Sequence, residues 1–257
     1  MKLCVLVKQV PGSESALRIE SSNTWIEETA ALFEMNESDN YALEEALQIK
    51  EALGNDPEVV VVSMGPERVQ KVIREALAKG ADRGIHINEM TEIKSDPFAT
   101  AQVFANVIKD EKFDLVFTGL QSDDVGSGQT GVILGELLEM ATATLVMATE
   151  VQEGSIKVKR ELESGWFQWV SMPTPASITI QSGINQPRYP SLKGIMGAKK
   201  KEIKVVDQAA ITVPEKQQSF SNIYLPTAEK KTEMIEGNLD QMISRLVEVL
   251  KTEIKVL

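Results

Sequence analysis

Between Gly119 and Gly131 the chain sets four glycines and two aspartates among hydroxyl and amide side chains, a composition suited to holding an anion. In Gly126-Ser-Gly-Gln-Thr-Gly131 the glycines let backbone N–H groups approach a phosphate closely. Ser127, Gln129 and Thr130 add side-chain donors where a helix begins, and the positive end of its dipole favours negative charge. On spacing alone, a plain glycine-rich turn with a capping hydroxyl is an equal reading. No Gly-Lys-Ser/Thr closes the loop as in a Walker motif, and it is not a Rossmann fingerprint.

Residues for bond chemistry are sparse. His86 is the only histidine and sits between Ile85 and Ile87 in an expected strand, which removes Ser-His triads and histidine metal clusters. Cys4, the only cysteine, lies in the first apolar strand as core filler; it excludes an internal disulfide and fits a reducing cytoplasmic setting. Glu44-Glu45 and Asp123-Asp124 could pair as acid and base, but they read as a solvated helix face and an Asp-rich turn. No metal set and no catalytic residue is expected.

A second kind of chemistry, recognition, is written in Asn185-Gln-Pro-Arg-Tyr-Pro-Ser-Leu-Lys-Gly-Ile-Met-Gly-Ala-Lys-Lys-Lys201. Its apolar and basic groups follow neither helical nor strand period, so it reads as an exposed loop. Pro187 and Pro190 stiffen it around Leu192, and Gly194 and Gly197 read as flexible joints around Ile195-Met196. An exposed apolar side chain on a stiff loop gains roughly 1.5–3 kcal/mol when a partner covers it. The Lys199-Lys200-Lys201 run alone reads as solvated.

The elements that must position these residues alternate. Apolar runs at Leu3 to Val7, Val59 to Ser63, Ile85 to Ile87 and Asp114 to Thr118 read as buried strands. Helical spacing separates them: Ala42 to Leu53 behind capping side chains in Asn36-Glu-Ser-Asp39, Val69 to Leu77 closed by Gly80, and Phe98 to Ile108 after Asp96-Pro97. The pattern predicts an α/β fold with a doubly wound, mainly parallel sheet, whose ligand site lies at the carboxyl ends of the strands. After another helix at Val132 to Leu138, strand runs at 144–151, 156–160, 166–170 and 177–180 predict an antiparallel extension. A polar arm from 214 to 231 precedes a helix opened by a capping box at Asn238 and Gln241. The division expected is a nucleotide-binding α/β domain over 1–184, a recognition loop over 185–202, and a C-terminal arm and helix over 203–257 that packs on a partner subunit, with packing on its own domain an equal reading of the residues alone.

At 257 residues, 42% hydrophobic and 25% charged, the composition is that of a folded domain with an extension. A net charge of -11 argues against a nucleic-acid surface, so a basic contact must be local. No apolar run approaches the roughly 18–20 residues of a membrane helix.

The second segment resembles the recognition loop of electron transfer flavoprotein beta subunits, Asn-x-Pro-Arg-Tyr followed by a Leu and Ile-Met-x-Ala-Lys-Lys-Lys, here Asn185, Pro187, Arg188, Tyr189, Leu192, Ile195, Met196 and Ala198 to Lys201. Gln129-Thr-Gly131, Asn36, Leu43-Glu-Glu-Ala46, the Ser63 to Pro66 turn and Gly80-Ala-Asp-Arg83 are similar to the same family, so the likeness covers about the first two hundred residues. The chain departs from it at Gly128, where relatives commonly carry Asn, and in Val10 to Ser13, which lacks an aromatic near the flavin.

The resemblance implies an electron carrier subunit without catalytic residues of its own. It implies AMP held by Leu6, Asn36, Glu37, Ser38, Asp39, Met64, Gly119, Gln121, Ser122, Asp123, Asp124, Val125, Gly126, Ser127, Gly128, Gln129 and Thr130. It also implies an FAD held mainly by an alpha subunit, and docking of flavin dehydrogenases such as acyl-CoA dehydrogenases through Arg188, Tyr189, Leu192, Ile195 and Met196. A quinone oxidoreductase is a candidate downstream acceptor. Two alternatives stand: a bifurcating relative with a second FAD in place of AMP, against which Thr130 and Asp123 to Gly126 lean, and a nucleotide-binding regulatory domain.

Overall fold

A computed structural model describes residues 1–54, 57–88, 96–207, 211–212, 215–226 and 232–256. Pro214 and residues 227–231 of the expected arm lie outside the described residues. The chain divides into two units, Met1–Asn222 and Ile223–Leu257.

In the first unit, β1 (Lys2–Leu6) leads through a small hairpin of β2 (Gln9–Pro11) and β3 (Phe33–Met35) into α1 (Glu37–Ala52). Then follow β4 (Glu58–Gly65), α2 (Gln70–Lys79), β5 (Arg83–Asn88), α3 (Pro97–Ile108), β6 (Leu115–Gly119) and α4 (Thr130–Leu137). Strands β7 (Ala141–Gln152), β8 (Ser155–Glu161), β9 (Phe167–Pro173) and β10 (Ala176–Ile180) precede α5 (Leu192–Ala198) and β11 (Ile203–Asp207).

Among the described residues one sheet runs in the order β11-β5-β4-β1-β6-β10-β7-β8-β9. Every pairing from β11 to β7 is parallel, and β7, β8 and β9 are antiparallel. This is the expected doubly wound sheet with an antiparallel extension, with one correction. β10 does not belong to the extension; it lies parallel between β6 and β7. The sheet also gains an edge strand, β11, beside β5.

Alternation along β1 and β4 assigns the two faces. Leu3, Val5, Val59 and Val61 pack with Leu43, Leu47, Ile73 and Leu77 of α1 and α2. Cys4, Leu6, Val60 and Val62 pack with Phe104, Ile108 and Leu134 of α3 and α4. Burial pushes the Cys4 thiol well above its ordinary range, which keeps it an inert core residue. His86 is also buried, between the Gln70 side chain and the Gly65 carbonyl.

In the second unit α6 (Leu239–Thr252) carries the expected capping box: the Gln241 amide donates to Asn238 Oδ1 and the Asn238 amide to Gln241 Oε1, each at 3.0 Å. No described helix is long and apolar enough to cross a membrane.

Candidate nucleotide cavity and recognition segment

The chain builds outward from β1 on one side through β4 and β5, then returns to place β6 on the other. The loops leaving β1 and β6 therefore diverge at the switch point, where an open sheet leaves a crevice. A cavity occupies that crevice, lined by Leu6 to Lys8, Asn36, Asp39, Met64, three residues of α3 (Pro97, Thr100 and Phe104), and much of the 118–131 stretch.

Asp39 holds the mouth together. Its Oδ2 accepts from the Lys8 amide at 2.7 Å and its Oδ1 from the Gly119 amide at 2.9 Å, so one carboxylate joins the exits of both strands. Burial pushes its carboxyl up from the ordinary 3.8 to about 7, against the lowering effect of those two N–H donors. Because the folded value exceeds the unfolded one, stability tied to this group is full below pH 3.8 and is lost as pH rises through about 7. Between about pH 4 and 7 the wild-type chain should lose stability relative to Asp39→Asn in urea titrations, and level off above that. Parallel profiles would show Asp39 ionised in the folded chain throughout.

Asn36 occupies the cap position of α1 but does not cap with its side chain. Its Nδ2 donates to the Gln121 carbonyl and to Ser38 Oγ, both at 2.9 Å, and its Oδ1 accepts from the Asp123 amide at 2.9 Å. Ser38 Oγ donates to the same Gln121 carbonyl at 2.7 Å, and Asp123 Oδ2 accepts from the Glu37 amide at 3.1 Å. Local capping gives way to these ties across 83–87 residues of sequence, which satisfy backbone groups of the 119–131 loop.

Among the expected ligand-holding residues, Leu6, Asn36, Asp39, Met64, Gly119, Gln121, Ser122, Val125, Ser127, Gly128, Gln129 and Thr130 line the cavity. Glu37, Ser38, Asp123, Asp124 and Gly126 are not among its lining residues. Four of these brace it, Asp124 by pairing with Lys8 Nζ at 2.6 Å. Lys8, Pro97, Thr100, Phe104 and Thr118 were not foreseen. Lys8 follows β1, at whose carboxyl end the site was expected, whereas nothing in the sequence marks which turn of α3 faces it.

The lining has the make-up of a small-molecule site. Leu6, Val7, Met64, Phe104 and Val125 supply apolar wall, and Lys8, Ser122, Ser127, Gln129 and Thr130 supply polar groups. The buried Thr118 Oγ1 has no hydrogen-bond partner in the structure and lies in this wall, a polar atom that a ligand would satisfy. Gly126 and Gly128 adopt φ of +66° and +62°, the left-handed turn that exposes loop amides. Among the described residues no cluster of His, Cys, Asp or Glu could hold a metal.

The 185–201 segment departs from an aperiodic loop: Leu192–Ala198 is a short helix, capped by Ser191 Oγ accepting from the Gly194 amide at 3.0 Å. Gly194 is a packing point, not a joint, since a Cβ there would stand 2.2 Å from the Ala78 carbonyl oxygen of α2. Lys201 is not simply solvated; its Nζ donates to the Leu77 and Ala81 carbonyls at 3.0 and 2.5 Å. The Arg74 guanidinium reaches from α2 to the Ala198 and Lys201 carbonyls at 2.6 and 2.7 Å. At the other end, Arg188 grips α1. Its Nε and one terminal nitrogen donate to Glu44 at 2.8 and 3.0 Å, and it pairs with Glu51 as well.

Glu44 and Glu45, expected on a solvated face, are therefore buried. Burial alone would push the Glu44 carboxyl up; the bonds from Arg188 and Gln48 outweigh it and hold the group below its ordinary value. Glu45 accepts from Thr149 Oγ1 at 2.5 Å and Asn185 Nδ2 at 3.0 Å. Between the two anchors Tyr189, Leu192 and Met196 stand 95%, 82% and 72% exposed, and Ile195 is also exposed.

Residues 24–211 match the family model described as "Electron transfer flavoprotein domain". The chain is 37% identical to "Electron transfer flavoprotein subunit beta" of Methylophilus methylotrophus, over 97% of this chain and 98% of that protein. It is 32% identical to the protein of the same name in Bacillus subtilis over 100% of both, and 35% identical to that of Syntrophomonas wolfei over 100% of this chain and 98% of that one. A doubly wound sheet and similarity along the whole chain agree: this protein belongs to the electron transfer flavoprotein family, as a beta subunit.

Proposed function

We propose that this beta subunit holds AMP at the switch-point cavity, joins an alpha subunit that carries most of an FAD site, and docks an electron-donating flavin dehydrogenase through the Tyr189 to Met196 display. The flavin, when bound, accepts electrons from the donor and passes them on; the chain's residues supply position. Lys8, Ser127, Gln129 and Thr130 would take the phosphate, with the opening of α4 adding its positive dipole end. Leu6, Val7, Met64 and Phe104 would exclude water around the base. The C-terminal unit, with its exposed Leu239, Ile243 and Leu246, would pack on the alpha subunit, and the complex would work in the cytoplasm.

The observation that carries docking is Leu192, exposed at the first turn of a helix anchored on both sides. An interface centred on one apolar side chain suits a redox encounter of roughly 1,200 Å² or less. Lys193, Lys199 and Lys200 give this part of an acidic chain a positive rim. Nucleotides released by denaturing the purified heterodimer test the reading. One FAD with one AMP supports it; two FAD would favour the bifurcating role, and no flavin would reject both.

A further inference from the structure

Helix α1 does two jobs at separate positions. Its first turn braces the cavity loop through Glu37, Ser38 and Asp39, and its middle and last turn grip the start of the recognition segment through Glu44, Glu45 and Glu51. Glu44 is 5% exposed, so a partner lying on Leu192 has little of it to touch. Its carboxylate receives three bonds from Arg188: the backbone amide at 3.1 Å, Nε at 2.8 Å and a terminal nitrogen at 3.0 Å. Three bonds at one residue fix both the direction of the chain and the side chain, one residue before Tyr189 and four before Leu192.

We propose that Glu44 is a positioning residue for docking: by holding Arg188 to α1 it keeps Leu192 presented, and Arg188 serves as that internal clamp and not as a contact to the dehydrogenase. The inference rests on the docking role proposed above. The guanidinium is committed to two carboxylates of its own chain, and its planar fork meets Glu44 with two nitrogens. Freeing it would leave the buried Glu44 carboxylate with Gln48 and no cation, and release the start of the segment, while Arg74 still holds the end. A docking element that is ordered only part of the time binds in proportion to its competent fraction. If that fraction falls to about one tenth, the apparent dissociation constant rises about tenfold.

The test uses the αβ heterodimer, with a reduced acyl-CoA dehydrogenase as donor. Glu44→Gln places an amide donor against the guanidinium, and should raise the KM for the heterodimer about tenfold with kcat and nucleotide content unchanged. Amide hydrogen exchange over residues 188–192 should quicken in the same variant without donor present. Arg188→Lys, which keeps the charge but loses the fork, should reproduce both effects and serves if Glu44→Gln fails to assemble. In a Leu192→Ala background the effect of Glu44→Gln on KM should shrink to less than about twofold, because both act through one contact.

Wild-type exchange and KM in both variants would overturn the proposal, as would an undiminished Glu44→Gln effect beside Leu192→Ala. A wild-type KM in Leu192→Ala alone would instead defeat the docking role, leaving the exchange result to decide whether Glu44 orders the segment.

Discussion

Leu192→Ala should weaken the complex with a donor dehydrogenase about ten- to hundredfold while leaving the fold and bound nucleotides intact. The estimate follows from burial: covering a leucine side chain contributes roughly 1.5–3 kcal/mol, and each 1.4 kcal/mol is a factor of ten. Few interface residues carry so much, and those that do sit centrally and fill a pocket. Leu192 is placed to act in that way, since it projects from a helix whose far side is fixed on α2, and its neighbours Tyr189 and Met196 are exposed around it. The fold has little to lose, since the side chain is already 82% in solvent. Titration of donor against heterodimer reads the affinity, and an unchanged dissociation constant would remove Leu192 from the interface.

The largest effect on the cavity is expected from Gly119→Ala. A Cβ at this position would stand 2.2 Å from Ser38 Oγ, 2.4 Å from Asp39 Oδ1 and 2.8 Å from the Asp39 backbone nitrogen. The last is main chain in the first turn of α1 and cannot rotate away, so either the helix or the end of β6 must move. Overpacking of this kind costs about 1–3 kcal/mol, a fall in Tm of roughly 2–12 °C for a unit of this size. The shift would also stretch the bond from the Gly119 amide to Asp39, opening the mouth that this carboxylate closes. Nucleotide recovered from the purified variant should drop sharply. Gly197→Ala supplies the contrast, since nothing beyond its own helix backbone lies within 4 Å of a Cβ there, and it should keep both nucleotide and stability. Equal nucleotide recovery from the two variants would mean that the Gly119 contact does not shape the cavity.

The local content of this fold was legible. Apolar runs marked β1, β4, β5 and β6, and Asp96-Pro97 marked the start of α3, where Asp96 accepts from the Phe98 and Ala99 amides. What stayed hidden depends on distance along the chain. Nothing near 177–180 says that β10 inserts parallel between β6 and β7, because strand order is set by packing across the sheet. Glu44 read as solvated because its partner, Arg188, is 144 residues away. Two prolines and two glycines concealed α5, whose Gly194 is there for contact with α2 and not for freedom. At the cavity the loop glycines were legible from residue type and Asp39 from the family resemblance, while Thr118 and Phe104 owe their place to the ends of β6 and α3.

Electron transfer itself is the most direct test. The αβ heterodimer is mixed anaerobically with an acyl-CoA dehydrogenase reduced by its substrate, and the heterodimer's flavin absorbance is followed. The expected result is flavin reduction at a rate proportional to donor concentration at low donor and slowed by Leu192→Ala. A flavin that stays oxidised at every donor concentration would contradict a carrier that docks this class of dehydrogenase.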